Sequence, residues 1–198
     1  MKTRRATVAR GTGRDVLLDA TLRLIGERGL HAITLREVAD AAGLSLGSTT
    51  YHFADRDALL TAALSRYADS VVAHCDEISG RYEGSELDPV EVLRSVVNDF
   101  GNSYCTPNRM MAQLELYTES GRNPTASDIS ARCLNAYRRM LVSACVRAGI
   151  DEETARTRVG RILVYADGLA LQSAATRTPF ALGDEANEML LSVATATL

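Results

Sequence analysis

Residues 43–47, Gly-Leu-Ser-Leu-Gly, satisfy the G-x-S-x-G pattern that lifts a nucleophilic serine onto a sharp turn between a strand and a helix. The surroundings remove that chemistry. A nucleophile elbow needs a buried strand before the serine, and here an amphipathic helix with its own cap precedes it. The elbow also needs a parallel sheet, whereas the apolar spacing of this chain is helical nearly throughout. The base should come late, after the acid, yet the only histidines beyond Ser45 are His52 and His74. No H-E-x-x-H, phosphate-loop or dinucleotide fingerprint is present. The four cysteines, at 75, 105, 133 and 145, form no C-x-x-C pair. With only three histidines they predict neither a zinc site nor a disulfide framework, but buried thiols in a reducing cytoplasm. The sequence therefore predicts no enzyme, no metal and no cofactor.

The same residues are better suited to binding. Thr34-Leu-Arg-Glu37 is a capping box, in which hydroxyl and carboxylate each satisfy the other residue's amide. Leu35, Val38, Ala39 and Ala42 then form a helical apolar stripe, predicting a short helix over 34–42. Gly43 supplies a cheap positive φ, Leu44 plugs the angle, and Ser45 caps a second short helix over 45–52. Two short helices around a tight glycine turn form the helix-turn-helix pattern, whose second helix enters the major groove of double-stranded DNA. Its exposed candidates are Ser45, Leu46, Gly47, Ser48, Thr49, Tyr51 and His52, with no acid among them. Small hydroxyls reach base edges or phosphates, and a threonine methyl suits a thymine methyl. Thr34 and Ser45 serve as caps alone or as caps and phosphate contacts together, and Arg36 joins the DNA-facing set. Phe53 is read as core.

The run from Thr34 to Phe53, TLREVADAAGLSLGSTTYHF, followed by Asp55-Arg-Asp-Ala-Leu-Leu60, resembles the DNA-binding domain of the TetR family. The resemblance covers about residues 14–64. It implies that Thr34, Leu46, Ser48, His52 and Arg56 lie near DNA. Family members commonly carry tyrosine two positions before the histidine of the His-Phe pair. Here Thr50 stands there and the tyrosine is Tyr51, a turn of about 100° around the helix.

Charge agrees with one DNA-facing end. The net charge is −3, but residues 1–66 carry ten Lys/Arg against seven Asp/Glu and the rest twelve against eighteen. A basic third on an acidic body is expected when one end meets phosphates. No apolar run is long enough to span a membrane, no apolar segment follows the basic N-terminus as a secretory signal requires, and a cytoplasmic location is expected. The predicted order is a basic arm (1–12), a helix-turn-helix domain (13–54) that opens with a helix over 13–28, and an all-helical second domain (55–198). In the last, a helix capped by Asp55 precedes others over about 89–104, 107–119, 125–148, 151–175 and 184–196.

For that second domain the resemblance implies small-molecule binding and homodimerisation. Phe100, Tyr104, Met110, Met111, Leu114, Tyr117, Tyr137, Met140 and Tyr165 are the expected pocket residues, suited to a hydrophobic or aromatic effector. The stripes Val159, Ile162, Leu163, Ala166, Ala170 and Met189, Leu190, Val193 are expected at the dimer seam, with an ordinary intrachain core as the alternative. Two-fold symmetry would pair two reading helices over a palindromic operator. The expected activity is transcriptional repression relieved when effector displaces the helix after Asp55. The competing reading is a helical interaction module that does not bind DNA.

Overall fold

The computed structural model describes residues 12–104, 107–176 and 184–195, and among these all regular structure is helical. The helices are α1 (Thr12–Arg28), α2 (Leu35–Ala41), α3 (Leu46–His52), α4 (Arg56–Arg81), α5 (Pro89–Tyr104), α6 (Pro107–Ser120), α7 (Pro124–Arg147), α8 (Glu152–Thr176) and α9 (Asp184–Thr195). A 3-10 turn, Leu30–Ala32, separates α1 from α2; the sequence reading did not include it. The basic arm through Gly11, Cys105 and the side chain of Tyr104 lie outside the described residues.

Local chemistry sets the boundaries. The Asp55 carboxylate accepts from the Ala58 amide at 2.7 Å and starts α4. Asn123 accepts from the Thr125 and Ala126 amides at 3.0 and 3.3 Å, and Pro124 follows in the first helical position, where its missing N–H costs nothing. At the end of α7, Gly149 adopts φ 86°. The Ile150 amide then reaches back to the Cys145 carbonyl at 3.1 Å, closing the helix with a left-handed cap.

The second domain is built on α4 and α7, which lie side by side and run the same way. Arg132 reaches Ser65 and Asp69 near one end, and Arg147 reaches the Tyr82 carbonyl at the other. Leu60, Leu64, Tyr67, Val71 and Cys75 of α4 are buried in one core with Ile129, Cys133, Ala136, Tyr137, Met140 and Leu141 of α7. Helix α4 also packs on α1, where Arg66 pairs with Asp15 and Asp19 at 2.8 and 3.0 Å. One helix therefore packs against both the first helix and the helices of the second domain.

The dimer stripe needs correction. Val159, Ile162, Leu163, Ala166, Ala170 and Leu190 are buried within the single chain, where α8 packs on α7 and α9. Only Met189 is exposed, and Val193 is half-buried. Helix α8 carries two apolar faces, and the richer one closes the chain's own core, where it removes most surface from water. The poorer face, with Val164 73% and Leu171 60% exposed, points outward.

Three cysteines are buried thiols, as their pattern predicts. Burial pushes Cys75 and Cys133 up to about 12 and Cys145 up to about 11, from an ordinary 9.0. Burial also raises the Tyr67 and Tyr137 hydroxyls. These protons are held more tightly in the folded chain than in the unfolded one. Their stabilisation is complete below about pH 9 and is lost as pH rises through the folded values. The urea midpoint should therefore fall as pH rises above about 9. Cysteine-to-alanine replacement at 75 and 133 should flatten that fall, and an unchanged slope would refute the assignment.

Candidate nucleic-acid interface

The turn between α2 and α3 is closed from both sides. At the start of α2, the Thr34 hydroxyl accepts from the Glu37 amide at 3.3 Å, and the Glu37 carboxylate accepts from the Thr34 amide at 3.0 Å. The capping box is complete. The Thr34 hydroxyl also donates to that carboxylate at 2.8 Å, so capping occupies its proton. At the end of α2, Gly43 takes φ 68°. The Leu44 amide bonds the Ala39 carbonyl at 2.9 Å and the Gly43 amide bonds Asp40 at 3.1 Å, the two bonds of a Schellman cap. Leu44 is buried behind the turn. The Ser45 hydroxyl then accepts from the Ser48 amide at 3.0 Å, which makes Ser45 a helix cap and fits no strand-borne nucleophile.

Helix α3 has a clear inner and outer face. Tyr51 is 81% and Leu46 39% exposed, and Gly47 and Thr50 share that outer side. Ser48 and His52 are half-buried. The His52 ring lies edge-on to Tyr51, with centroids 5.1 Å apart. It also stands close over Gly13 of α1, 3.3 Å from where a Cβ would be. Phe53 is buried, as expected, with the Arg14 guanidinium 5.5 Å over its ring.

Two DNA-facing assignments change. Thr49 is fully buried, because it sits one turn before Phe53 on the inward side of α3, so it is withdrawn from the exposed set. Thr50 takes its place on the surface, its hydroxyl donating back to the Leu46 and Gly47 carbonyls at 3.2 Å each. Arg56 is spent internally. Its Nε donates to the Ile33 carbonyl and its Nη2 to the Leu30 carbonyl, each at 2.7 Å, and its Nη1 pairs with Asp57 at 3.1 Å. It fastens the start of α4 to the turn before α2. Arg36, by contrast, stands exposed on α2.

In the second domain, Phe100 and Tyr137 pack edge to face with centroids 5.4 Å apart, and Met110 and Met140 are buried with them. Met111, Leu114, Tyr117 and Tyr165 are half-buried. A polar pair that the sequence reading omitted lies inside this cluster. The Tyr67 hydroxyl donates to Gln113 Oε1 at 2.9 Å, and the buried Gln113 Nε2 has no hydrogen-bond partner among the described groups. The signal was available: Gln113 lies three residues from both Met110 and Leu116, on the inward face of α6.

Comparison with known proteins places both halves of the chain. Residues 17–63 match the family described as bacterial regulatory proteins, tetR family, and residues 84–196 match the tetracyclin repressor-like C-terminal domain. The HTH-type transcriptional regulator BetI of Burkholderia thailandensis is 30% identical over 171 residues, 84% of either chain. The HTH-type transcriptional repressor KstR2 of Rhodococcus jostii is 27% identical, covering 77% of this chain and 72% of its own. A transcriptional regulator from Saccharomonospora viridis, solved in complex with choline, shares the fold. Its TM-score is 0.75 at 21% identity, over 91% of this chain and 94% of its own.

The local geometry has measurable consequences. No atom lies within 4 Å of a Cβ on Gly43, so Gly43→Ala should cost only the left-handed backbone penalty, about 1–2 kcal/mol. Ser45→Ala should cost about 1 kcal/mol through the lost cap. Urea denaturation reads both, and a neutral Gly43→Ala would contradict the left-handed turn.

Proposed function

Since the chain belongs to the TetR family of bacterial transcriptional regulators, we propose that it represses transcription by binding a palindromic operator as a homodimer in the cytoplasm, and is released by a small-molecule effector. It is a helix-turn-helix regulator and not an enzyme. The observation that carries the operator-binding reading is the outer face of α3. Leu46, Gly47, Thr50 and Tyr51 are presented without an acidic residue between Gly43 and Ala54, on a turn locked at both ends. Ser45, Ser48 and His52 flank that face, and Arg36 and Thr34 lie toward the DNA backbone.

The dimer seam in this reading is the outer face of α8 and α9. Arg161, Val164, Gly168, Leu171 and Ala175 recur at three- and four-residue spacing, and exposed Met189 of α9 continues the apolar surface. Nothing lies within 4 Å of a Cβ on Gly160 or Gly168, which leaves room for a partner helix to approach closely. The effector site lies among Phe100, Met110, Tyr137 and Met140. Its polar feature, the Gln113 Nε2 group without a partner among the described residues, suits an apolar or aromatic molecule that carries a hydrogen-bond acceptor. Release requires that the effector bind the DNA-incompatible arrangement more tightly than the DNA-bound one.

Selection of genomic fragments with purified protein tests the operator reading, because bound duplexes should enrich one palindrome. On that duplex, Tyr51→Ala should weaken binding about tenfold and relax sequence preference, since it removes a base-side contact. Arg36→Ala should weaken all duplexes alike and reduce the salt slope by about 1. Failure to retain any duplex at low salt would favour the interaction-module alternative. For the seam, Val164→Asp should yield a folded monomer by sedimentation velocity, whereas Ile162→Ala should cost about 2–5 kcal/mol of stability as a core cavity. A dimer unaffected by Val164→Asp would remove this face from the interface.

A further inference from the structure

The last turns of α7 and the first turn of α8 line an open groove of about 590 Å³. Its apolar part is Val142, half-buried, and Val146, 43% exposed. Four guanidiniums line it as well, from Arg138, Arg139 and Arg147 of α7 and Arg156 of α8, against a single carboxylate, Glu152. The groove is therefore cationic on a domain whose sequence is acidic, twelve Lys/Arg against eighteen Asp/Glu beyond residue 66. Glu152 is taken by Arg156 at 2.6 Å. Arg147 donates to the Tyr82 carbonyl at 2.9 Å, and its charge suits the negative end of α7. Arg138 and Arg139 have no such duty. They stand exposed within the helix, and among the described residues neither has an ion-pair or hydrogen-bond partner.

A guanidinium is weakly hydrated and presents a fixed fork of donors that matches a carboxylate or a phosphate. The two valines offer apolar surface that gains by leaving water. Together they fit a molecule with one anionic head and an apolar body. The volume lies in the range of small-molecule sites, and residues 138 to 147 run along about 14 Å of helix. We propose that this groove is a second ligand site, for an amphiphilic anion, on the side of α7 opposite buried Tyr137 and Met140. It lies beside the proposed dimer face and not on it, because Arg156 and Val164 are rotated from each other by about 80° around α8. The inference does not depend on the regulator reading, since it uses only groups on the outer surface of the second domain.

Isothermal titration calorimetry of the full-length protein with decanoate, decyl phosphate and neutral decanol tests this. Both anions should bind, and decanol about tenfold more weakly or not at all. The tighter of the two anions identifies the head group. Between hexanoate and decanoate, affinity should rise about threefold per methylene. Arg138→Gln with Arg139→Gln should weaken both anions about tenfold. Val146→Glu, which puts a carboxylate in the groove, should abolish binding. All three positions are exposed, so these variants leave the core intact. Methyl NMR places the anion, with shifts expected at Val142 and Val146 and not at the buried Met110 and Met140. Decanol binding as tightly as decanoate overturns the inference. So do no binding of either anion to the wild type, anion binding unchanged in the arginine double variant, or shifts confined to Met110 and Met140. A dimer that dissociates in both groove variants, with no anion bound by the wild type, would give the groove to a second copy of the chain and also overturn it.

Discussion

The guanidinium of Arg56 on the carbonyls of Leu30 and Ile33 ties the start of α4 to the turn between α1 and α2. Those carbonyls belong to a turn of only a few residues between α1 and α2, too short to form a hydrogen-bonded ladder of its own. Half-buried carbonyls without partners would lose water and gain nothing in exchange. A planar cation with donors in a fixed fork can satisfy two of them at once, which a lysine could not do with the same rigidity. Because Arg56 is also the first residue of α4, the bond sets where a 26-residue helix begins relative to the reading unit. All that α4 later packs against inherits that origin, including α7 and the Tyr67–Gln113 pair.

The reading unit itself depends on economy at its ends. Helices α2 and α3 have seven residues each, so most of their backbone groups lie in the first or last turn and lack helical partners. Neither would be stable alone. Thr34, Glu37, Gly43 and Ser45 satisfy those groups, while Val38, Leu44, Thr49 and Phe53 bury the inner side. The cost of order falls on residues that face inward or along the chain. The outer side of α3 is left free of structural duty.

This division explains what was legible in the sequence. Caps are local, and a hydroxyl three residues before a carboxylate specifies its own geometry wherever it occurs. The starts of α2, α3, α4 and α7 were accordingly readable to within a residue or two. The inner face of α3 was not, because Ser48, Thr49 and Thr50 carry no hydrophobic contrast from which a period could be read. The seam failed for the opposite reason. Helix α8 has contrast on two faces, and periodicity does not say which one meets the chain's own core. The side chains that hold the turn between α1 and α2 were beyond reach of pattern: Arg56 donates to the Leu30 and Ile33 carbonyls and Glu115 of α6 accepts from the Leu30 amide, backbone groups that carry no sequence signature.

The outer face of α3 has a further consequence for how discrimination and strength are divided. Leu46, Gly47, Thr50 and Tyr51 carry no formal charge, so the base contacts proposed for them would release few counterions. In the proposed reading, attraction to phosphate then falls to charged groups outside that outer face, and it is shared by every sequence. Added salt then loosens all DNA together while the ratio between the right site and a wrong one stays nearly constant. Such a protein keeps its selectivity across changes in cellular ionic strength, and gives up occupancy instead.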